Sequence, residues 1–263
     1  MKLMECVPNF SEGRDKNVLD AIAAAIKGVN GAVLLDVDPG ADTNRTVFTM
    51  AGEPEAVVEA AFCAIKKASE LIDMTKHHGE HPRMGATDVC PFIPISDISM
   101  EECAEYARKL GKRVGDELGI PVYLYENAAS KEEWRNLATV RSGEYEALPE
   151  KAKDPAWKPD FGPHTFNAKS GATAISAREF LIAYNINLNT RDKKKAHELA
   201  LTIRESGKPA RDASGKFLKD AAGNKINTPG LFSHCKAVGW FIDSYDRAQI
   251  SINLTNYKIT PPY

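Results

Sequence analysis

A chain of 263 residues, 43% hydrophobic and 27% charged, is long enough for one large soluble domain or two small ones. Lys and Arg number 34 against 36 Asp and Glu, a net charge of −2, which lacks the basic excess of a general nucleic-acid or anionic-membrane binder. No apolar run reaches the roughly 20 residues of a bilayer span, and residues 1–8 lack the apolar core of a secretory leader.

In chain order the pattern predicts alternating strands and helices. Residues 3–8 read as a short strand. Residues 15–27 carry Val18, Ile22, Ala25 and Ile26 at helical spacing. Residues 32–35 read as a buried strand running on to Asp36 and Asp38 and closed by Pro39-Gly40. A strand over 45–51 follows, then a helix opened by Pro54 at its favoured first position. After an apolar run over 89–95, Ser99 and Glu102 form a capping box for a helix with Cys103, Tyr106, Ala107, Leu110 and Val114 inward. A strand over 120–125 precedes a second expected capping box, Ser130 with Glu133. Prolines and glycines then break any period over 142–171, which reads as a long functional loop between two halves.

The second half opens on clean alternation, with Phe180, Ile182, Tyr184, Ile186 and Leu188 on one face and Asn185 and Asn187 on the other. A helix over 191–205 and a polar, hairpin-like excursion over 208–230 come next. Strands over 237–243 and 248–255 close the pattern, with Ser251, Asn253 and Thr255 opposite Ile250, Ile252 and Leu254. The order is β-α-β-β-α-β plus additions, then β-α-β-β, so a second six-element unit would lack a helix and a strand. Five scattered cysteines, Cys6, Cys63, Cys90, Cys103 and Cys235, form no Cys-x-x-Cys pair. They read as buried reduced thiols in a reducing, cytoplasmic setting.

Three of the six histidines fall within five positions, in His77-His78-Gly79-Glu80-His81-Pro82-Arg83-Met84-Gly85-Ala86-Thr87-Asp88. Imidazole moves protons near neutral pH, and glycine lets backbone approach a ligand, so the segment reads as an acid–base site. A satisfied structural cluster is the bland alternative. A zinc site is a third, because His77-x-x-Glu80-His81 matches an inverted zinc-protease string. That chemistry requires a helix, which Gly79 and Pro82 oppose. Asp38, at a strand mouth, is either functional or a turn residue. Residues 160–173 combine glycines, Phe161, Phe166 and small hydroxyls, a composition that can wrap a planar heterocycle.

Together these strings resemble the glutamate formimidoyltransferase (formiminotransferase) family. The carrying residues are Cys6-Val7-Pro8-Asn9-Phe10-Ser11-Glu12-Gly13-Arg14, Asp38 to Thr46, His81 to Asp88, and Asp160-Phe161-Gly162-Pro163. Gly171-Ala172-Thr173, Ala177-Arg178, Asn185 to Leu188, Gly239-Trp240 and Asn253-Leu254-Thr255 continue the series through nearly the whole chain. The resemblance implies a mixed α/β fold of two ferredoxin-like βαββαβ subdomains, 1–178 and 179–263, whose sheets face each other around a folate tunnel, in a homodimer. It implies transfer of the formimino group of N-formimino-L-glutamate to tetrahydrofolate as co-substrate, a step of histidine breakdown, without a metal. The catalytic histidine falls on His81 and its assisting aspartate on Asp38. The folate stretch falls on Gly162, Pro163, His164, Thr165, Phe166, Asn167, Ala168, Lys169, Ser170 and Gly171. Arg83 or Arg178 could hold substrate carboxylates, and each could equally be a structural ion pair. Lys151, Lys153 and Lys158 could meet a polyglutamate tail, or form a solvated face. The family pattern continues past Tyr263 with a helix and a strand, so the second subdomain is expected to be incomplete. Formyl exchange with 5-formyltetrahydrofolate on the same site, and a folate-binding module without turnover, stay open.

Overall fold

The computed structural model describes residues 1–221 and 223–263. The chain divides into two units, Met1–Arg178 and Glu179–Tyr263, each of mixed α/β class.

The first unit is a seven-stranded sheet with three long helices on one face. Strands β1 (Leu3–Cys6) and β2 (Asn9–Phe10) run in line as one broken central strand between β4 (Arg45–Gly52) and β5 (Thr87–Ser96). Strand β3 (Ala32–Gly40) pairs with β4 and forms one edge. Beyond β5 come β7 (Thr173–Ala177) and then β6 (Val122–Glu126), both parallel to it. Helix α1 (Lys16–Lys27) links β2 to β3, α2 (Pro54–Leu71) links β4 to β5, and α3 (Met100–Leu118) links β5 to β6.

Local chemistry sets these elements. Asp15 caps α1 by accepting the Asn17 N–H, and Leu19, Ile22 and Ile26 fall on its buried stripe. Pro54 opens α2, and the reciprocal Ser99–Glu102 box opens α3. Gly119 closes α3 in the left-handed conformation at φ 62°. The helices seal a dry layer in which Met4, Phe10, Phe48, Met50, Ile65, Phe92 and Leu110 are fully buried. Each such side chain contributes about 1.5–3 kcal/mol relative to exposure.

Two β-bulges decide what the opposite face carries. Along β3, Leu34 pairs with Met50 but Asp36 pairs with Thr49, so Leu35 is an extra residue. Side chains alternate with period two, so one inserted residue reverses every side chain after it. Leu34 and Val37 therefore both pack on the core, and Asp38 shares the outer face with its register partner Val47. Strict alternation would have sent Asp38 inward. Along β5, Asn9 pairs with Val89 and Phe10 with Thr87, leaving Asp88 as the extra residue.

Several expectations need correction. The stretch 32–35 is not a buried strand: β3 is an edge strand, and Val33 and Leu35 are each 59% exposed. Ser130 and Glu133 form no capping box, because the chain tightens into a 3-10 turn, Glu132–Arg135, with no side-chain cap. Burial of Trp134 against Tyr123 and Trp157 drives that turn. The stretch 142–171 is not one open loop, since it holds helix α5 (Leu148–Lys151) and two 3-10 turns. With α4 (Leu137–Val140) these pieces cover the outer face of β5, β6 and β7, burying Tyr123, Tyr125, Val140 and Leu148 in a second apolar cluster. Lys151 is not a solvated charge: it is buried, donates to the Val140 carbonyl at 2.9 Å and sits 3.8 Å over the Trp157 ring.

In the second unit, β8 (Ile182–Asn187), β12 (Arg247–Leu254) and β11 (Cys235–Ile242) form a three-stranded antiparallel sheet with β12 central. Helix α6 (Lys193–Ile203) packs Ala196 and Ala200 on the face carrying Ala248, Ile250, Ile252 and Leu254. Gly239 permits that closeness, since a Cβ there would lie 2.2 Å from α6 backbone. The polar excursion is a hairpin whose stem pairs β9 (Lys208–Pro209) with β10 (Asn227–Thr228). All five cysteines are free thiols, four of them buried and Cys63 half-buried.

Candidate functional site

The site segment lies at one end of the first unit's sheet, where β2 ends and β4, β5 and β7 begin. Residues 77–84 contain no helix, so Gly79 and Pro82 act as their chemistry predicts. A Cβ on Gly79 would strike the Thr43 carbonyl at 2.3 Å, which presses this segment against the turn before β4.

His77 and His81, four residues apart, are held oppositely. His77 is buried and both ring nitrogens are engaged. Its Nε2–H donates to the Asn44 carbonyl at 2.8 Å, and its Nδ1 accepts from Arg83 Nε at 3.3 Å. Burial, the leading cause, lowers its pKa. This is a structural histidine. Among the described residues His81 makes one hydrogen bond, from Nδ1 to the Pro82 carbonyl at 2.6 Å. A carbonyl only accepts, so Nδ1 carries the proton and Nε2 keeps an uncommitted lone pair. Burial first, then the guanidinium charges of Arg45 and Arg141, hold the His81 pKa down to about 2. The ring is thus a neutral base in the free protein.

The charges around it come from three elements. Asp88, lifted out of register by the bulge, is fully buried; its carboxylate accepts from the Met84 N–H at 3.1 Å and from Arg141 Nη2 at 2.6 Å. Burial raises its pKa, and the two arginines oppose that rise. Arg141 follows α4, whose last carbonyl, that of Val140, is pinned by Lys151. Arg45 begins β4 and donates to the Asn9 side chain. The buried Nε atoms of Arg45 and Arg141 have no hydrogen-bond partner among the described residues. Of these groups only Asp88 stood in the histidine string. Arg45 read as a strand start, and Arg141 carried no signal, because only folding brings position 141 to position 88.

The histidine segment and the glycine loop are stitched together. Gly85 bridges Gly171, Ala86 N–H donates to the Ser170 carbonyl at 2.9 Å, and Ala172 N–H donates to the Met84 carbonyl at 3.0 Å. No side chain fits here: a Cβ on Gly85 would sit 2.2 Å from the Ala172 carbonyl, and one on Gly171, at φ 66°, 2.2 Å from the Met84 carbonyl. Ser11 closes the third side by donating from Oγ to the Gly85 carbonyl at 2.7 Å. Upstream, Gly162 at φ 80° lies against Gly115 of α3. Between these anchors, Pro163, His164 and Phe166 join Tyr123, Leu148 and Gly171 around a small open cleft. Its apolar, aromatic lining suits the face of a planar ring. Asn167 folds the loop, taking the Ser170 N–H on its side chain and the Gly171 N–H on its carbonyl. Ala168 accepts from Tyr145, Lys169 donates to the Glu70 carbonyl, and Thr165 lines the cleft.

The other expected residues fall as follows. Asp38 is exposed on the outer face and makes no hydrogen bond to His81; its charge is felt at Arg45. The group that holds the His81 ring is the Pro82 carbonyl. Arg83 is occupied by its own chain: Glu146 takes Nη1 and Nη2 at 2.8 and 2.7 Å, and Glu144 takes Nη1 at 3.2 Å. Arg178, after β7, places its charge near Glu5. The described residues hold no group of three or more His, Cys, Asp and Glu side chains arranged for a metal.

The first unit is thus a mixed α/β sheet whose end holds an imidazole among guanidiniums, beside a glycine-stitched loop. Residues 3–178 match the formiminotransferase domain, N-terminal subdomain, and residues 183–263 match the formiminotransferase domain. The chain belongs to the formiminotransferase family. It is 52% identical to a formimidoyltransferase-cyclodeaminase of Gallus gallus, over 99% of this chain and 45% of that protein. It is 46% identical to a glutamate formimidoyltransferase of Thermoplasma acidophilum, over all of this chain and 80% of that protein. It is 44% identical to a glutamate formimidoyltransferase of Streptococcus pyogenes serotype M1, over 98% and 79%. The chain thus spans about half the length of its cyclodeaminase relatives, and no described helix is long and apolar enough to cross a membrane.

Proposed function

We propose that this chain transfers the formimino group of N-formimino-L-glutamate to tetrahydrofolate, releasing L-glutamate, as a step of histidine breakdown in the cytoplasm. The observation that carries the reading is the His81 ring, its Nδ1–H fixed on the Pro82 carbonyl and its Nε2 lone pair uncommitted. When bound, the folate supplies the nucleophilic nitrogen N5. His81 Nε2 takes the proton from the attacking nitrogen and returns it to the departing nitrogen of glutamate. Such general acid–base work contributes roughly 10²–10⁴-fold. The Pro82 carbonyl holds the ring in its working tautomer throughout, and Asp88 keeps Arg141 in place beside it. Asp38 tempers the charge of Arg45. Residues 162–171 hold the pterin, with Phe166 offering aromatic surface and Gly85 and Gly171 keeping the loop against the histidine segment. We also infer that two copies of the chain associate, as the family resemblance implies.

The test is turnover of formiminoglutamate with tetrahydrofolate, beside calorimetric folate binding, in the wild type and in His81→Ala. Loss of turnover with folate binding kept is expected. Full turnover in that variant overturns the assignment of His81, and no turnover in the wild type at any enzyme concentration overturns the reaction.

A further inference from the structure

Among the described residues, the guanidiniums around the histidine segment are of two kinds. Arg83 is saturated by Glu144 and Glu146. Arg45 and Arg141 share one buried carboxylate, Asp88, and it is bonded to Arg141 at 2.6 Å. Arg45 makes no ion pair among the described residues and meets only the neutral amide of Asn9. Both Nε–H groups are buried without an acceptor. A buried donor left without an acceptor is costly, and it is tolerable where a ligand completes the set. What is left over is a pair of buried donors, and both guanidiniums lie close enough to His81 to act on its ring.

We propose that Arg45 and Arg141 form the receptor for the carboxylate groups of a dicarboxylic amino-acid donor of glutamate's class, seated against His81. The inference rests on the reading of His81 as the proton carrier in formimino transfer. Arg45 is the open fork, suited to a bidentate carboxylate. Arg141 is already oriented by Asp88, and Lys151 fixes the backbone before it. The charged groups facing the ring's surroundings are Arg45 from β4, Arg141 after α4, Asp88 from β5 and Asp38 from β3, whose charge is felt at Arg45. A carboxylate bound there offsets the guanidinium share of the depressed His81 basicity, burial being the larger cause.

The experiment is an NMR titration of ring-labelled histidines in the whole chain, with and without L-glutamate, the donor's own product, in the absence of folate. L-Glutamate is expected to raise the His81 midpoint by about 1 unit or more and to leave His77 unmoved. Arg45→Gln should remove that rise and weaken L-glutamate binding about tenfold or more, while Arg45→Lys keeps part of both. Thermal melting checks that each variant folds. The folate tail is the other source of the same chemistry, and p-aminobenzoyl-L-glutamate serves as its probe. A response to that compound and not to L-glutamate overturns the proposal, as does an unmoved His81 or an unchanged response in Arg45→Gln. Turnover is not needed for this titration. If formiminoglutamate is not converted yet L-glutamate shifts His81, the reaction falls and the carboxylate site stands.

Discussion

The two faces of the seven-stranded sheet share one backbone and obey different rules. The helix side is dry: Phe48, Phe92 and Met50 interdigitate at full burial, and any volume lost there is felt. The other side gathers Asn9, Arg45, Asp38, Asp88 and Arg141, with its core limited to the patch under α4 and α5. The first face contributes stability through contact area. The second places charge, and it does so through two one-residue bulges that break the period of the strands. Function here is built by local departures from regular pairing on a scaffold whose other side permits none.

The sharpest way to break that contrast is His81→Ala. Turnover should fall by roughly 10²–10⁴-fold with the melting temperature unchanged, because the ring makes a single hydrogen bond. A variant that also unfolds would make His81 a structural residue. On the dry face, Phe48→Ala should cost about 3–5 kcal/mol in urea unfolding; a loss below 1 kcal/mol would mean that the helix side is loosely packed. Gly171→Ala tests the stitch between the faces' loops. The backbone strain at φ 66° and the clash with the Met84 carbonyl should cost about 2–3 kcal/mol and weaken folate binding as well.

Acid offers a gentler probe. A histidine held neutral in the fold binds fewer protons than in the unfolded chain below pH 6.5, so its contribution is fully present above the unfolded value and declines as the pH falls toward the folded one. With the His81 value near 2, stability should drop by about 2 kcal/mol from this ring between pH 7 and 5. His77 adds to the decline in the same direction. Denaturant midpoints across that range, compared with His81→Ala, isolate the share of this ring; equal slopes would contradict the depressed value. Least of all, Asp38→Asn should change stability by under about 0.5 kcal/mol, since the carboxylate is exposed. Its effect on turnover should be smaller than that of His81→Ala, in keeping with a charge acting on Arg45 and not on the ring.

Much of this protein was legible before folding. Helical spacing marked α1, α2 and α3, and the Ser99–Glu102 box and Pro54 placed two helix starts, because caps and periodicity act between residues a few positions apart. The absence of a helix through 77–84 followed from Gly79 and Pro82 alone. The family strings singled out His81 and the loop over 162–171. What the tertiary structure decided is everything that depends on distant residues meeting. Leu35 is a bulge only because β4 lies beside it, and that bulge turns Asp38 outward. Arg141 reaches Asp88 only because α4 is pinned against β6, and Arg83 is spent on Glu144 and Glu146 rather than left for a ligand. Which of two histidines four residues apart keeps a free lone pair rests on a carbonyl at Asn44 and another at Pro82, and a backbone oxygen has no identity in the sequence until the chain has folded around it.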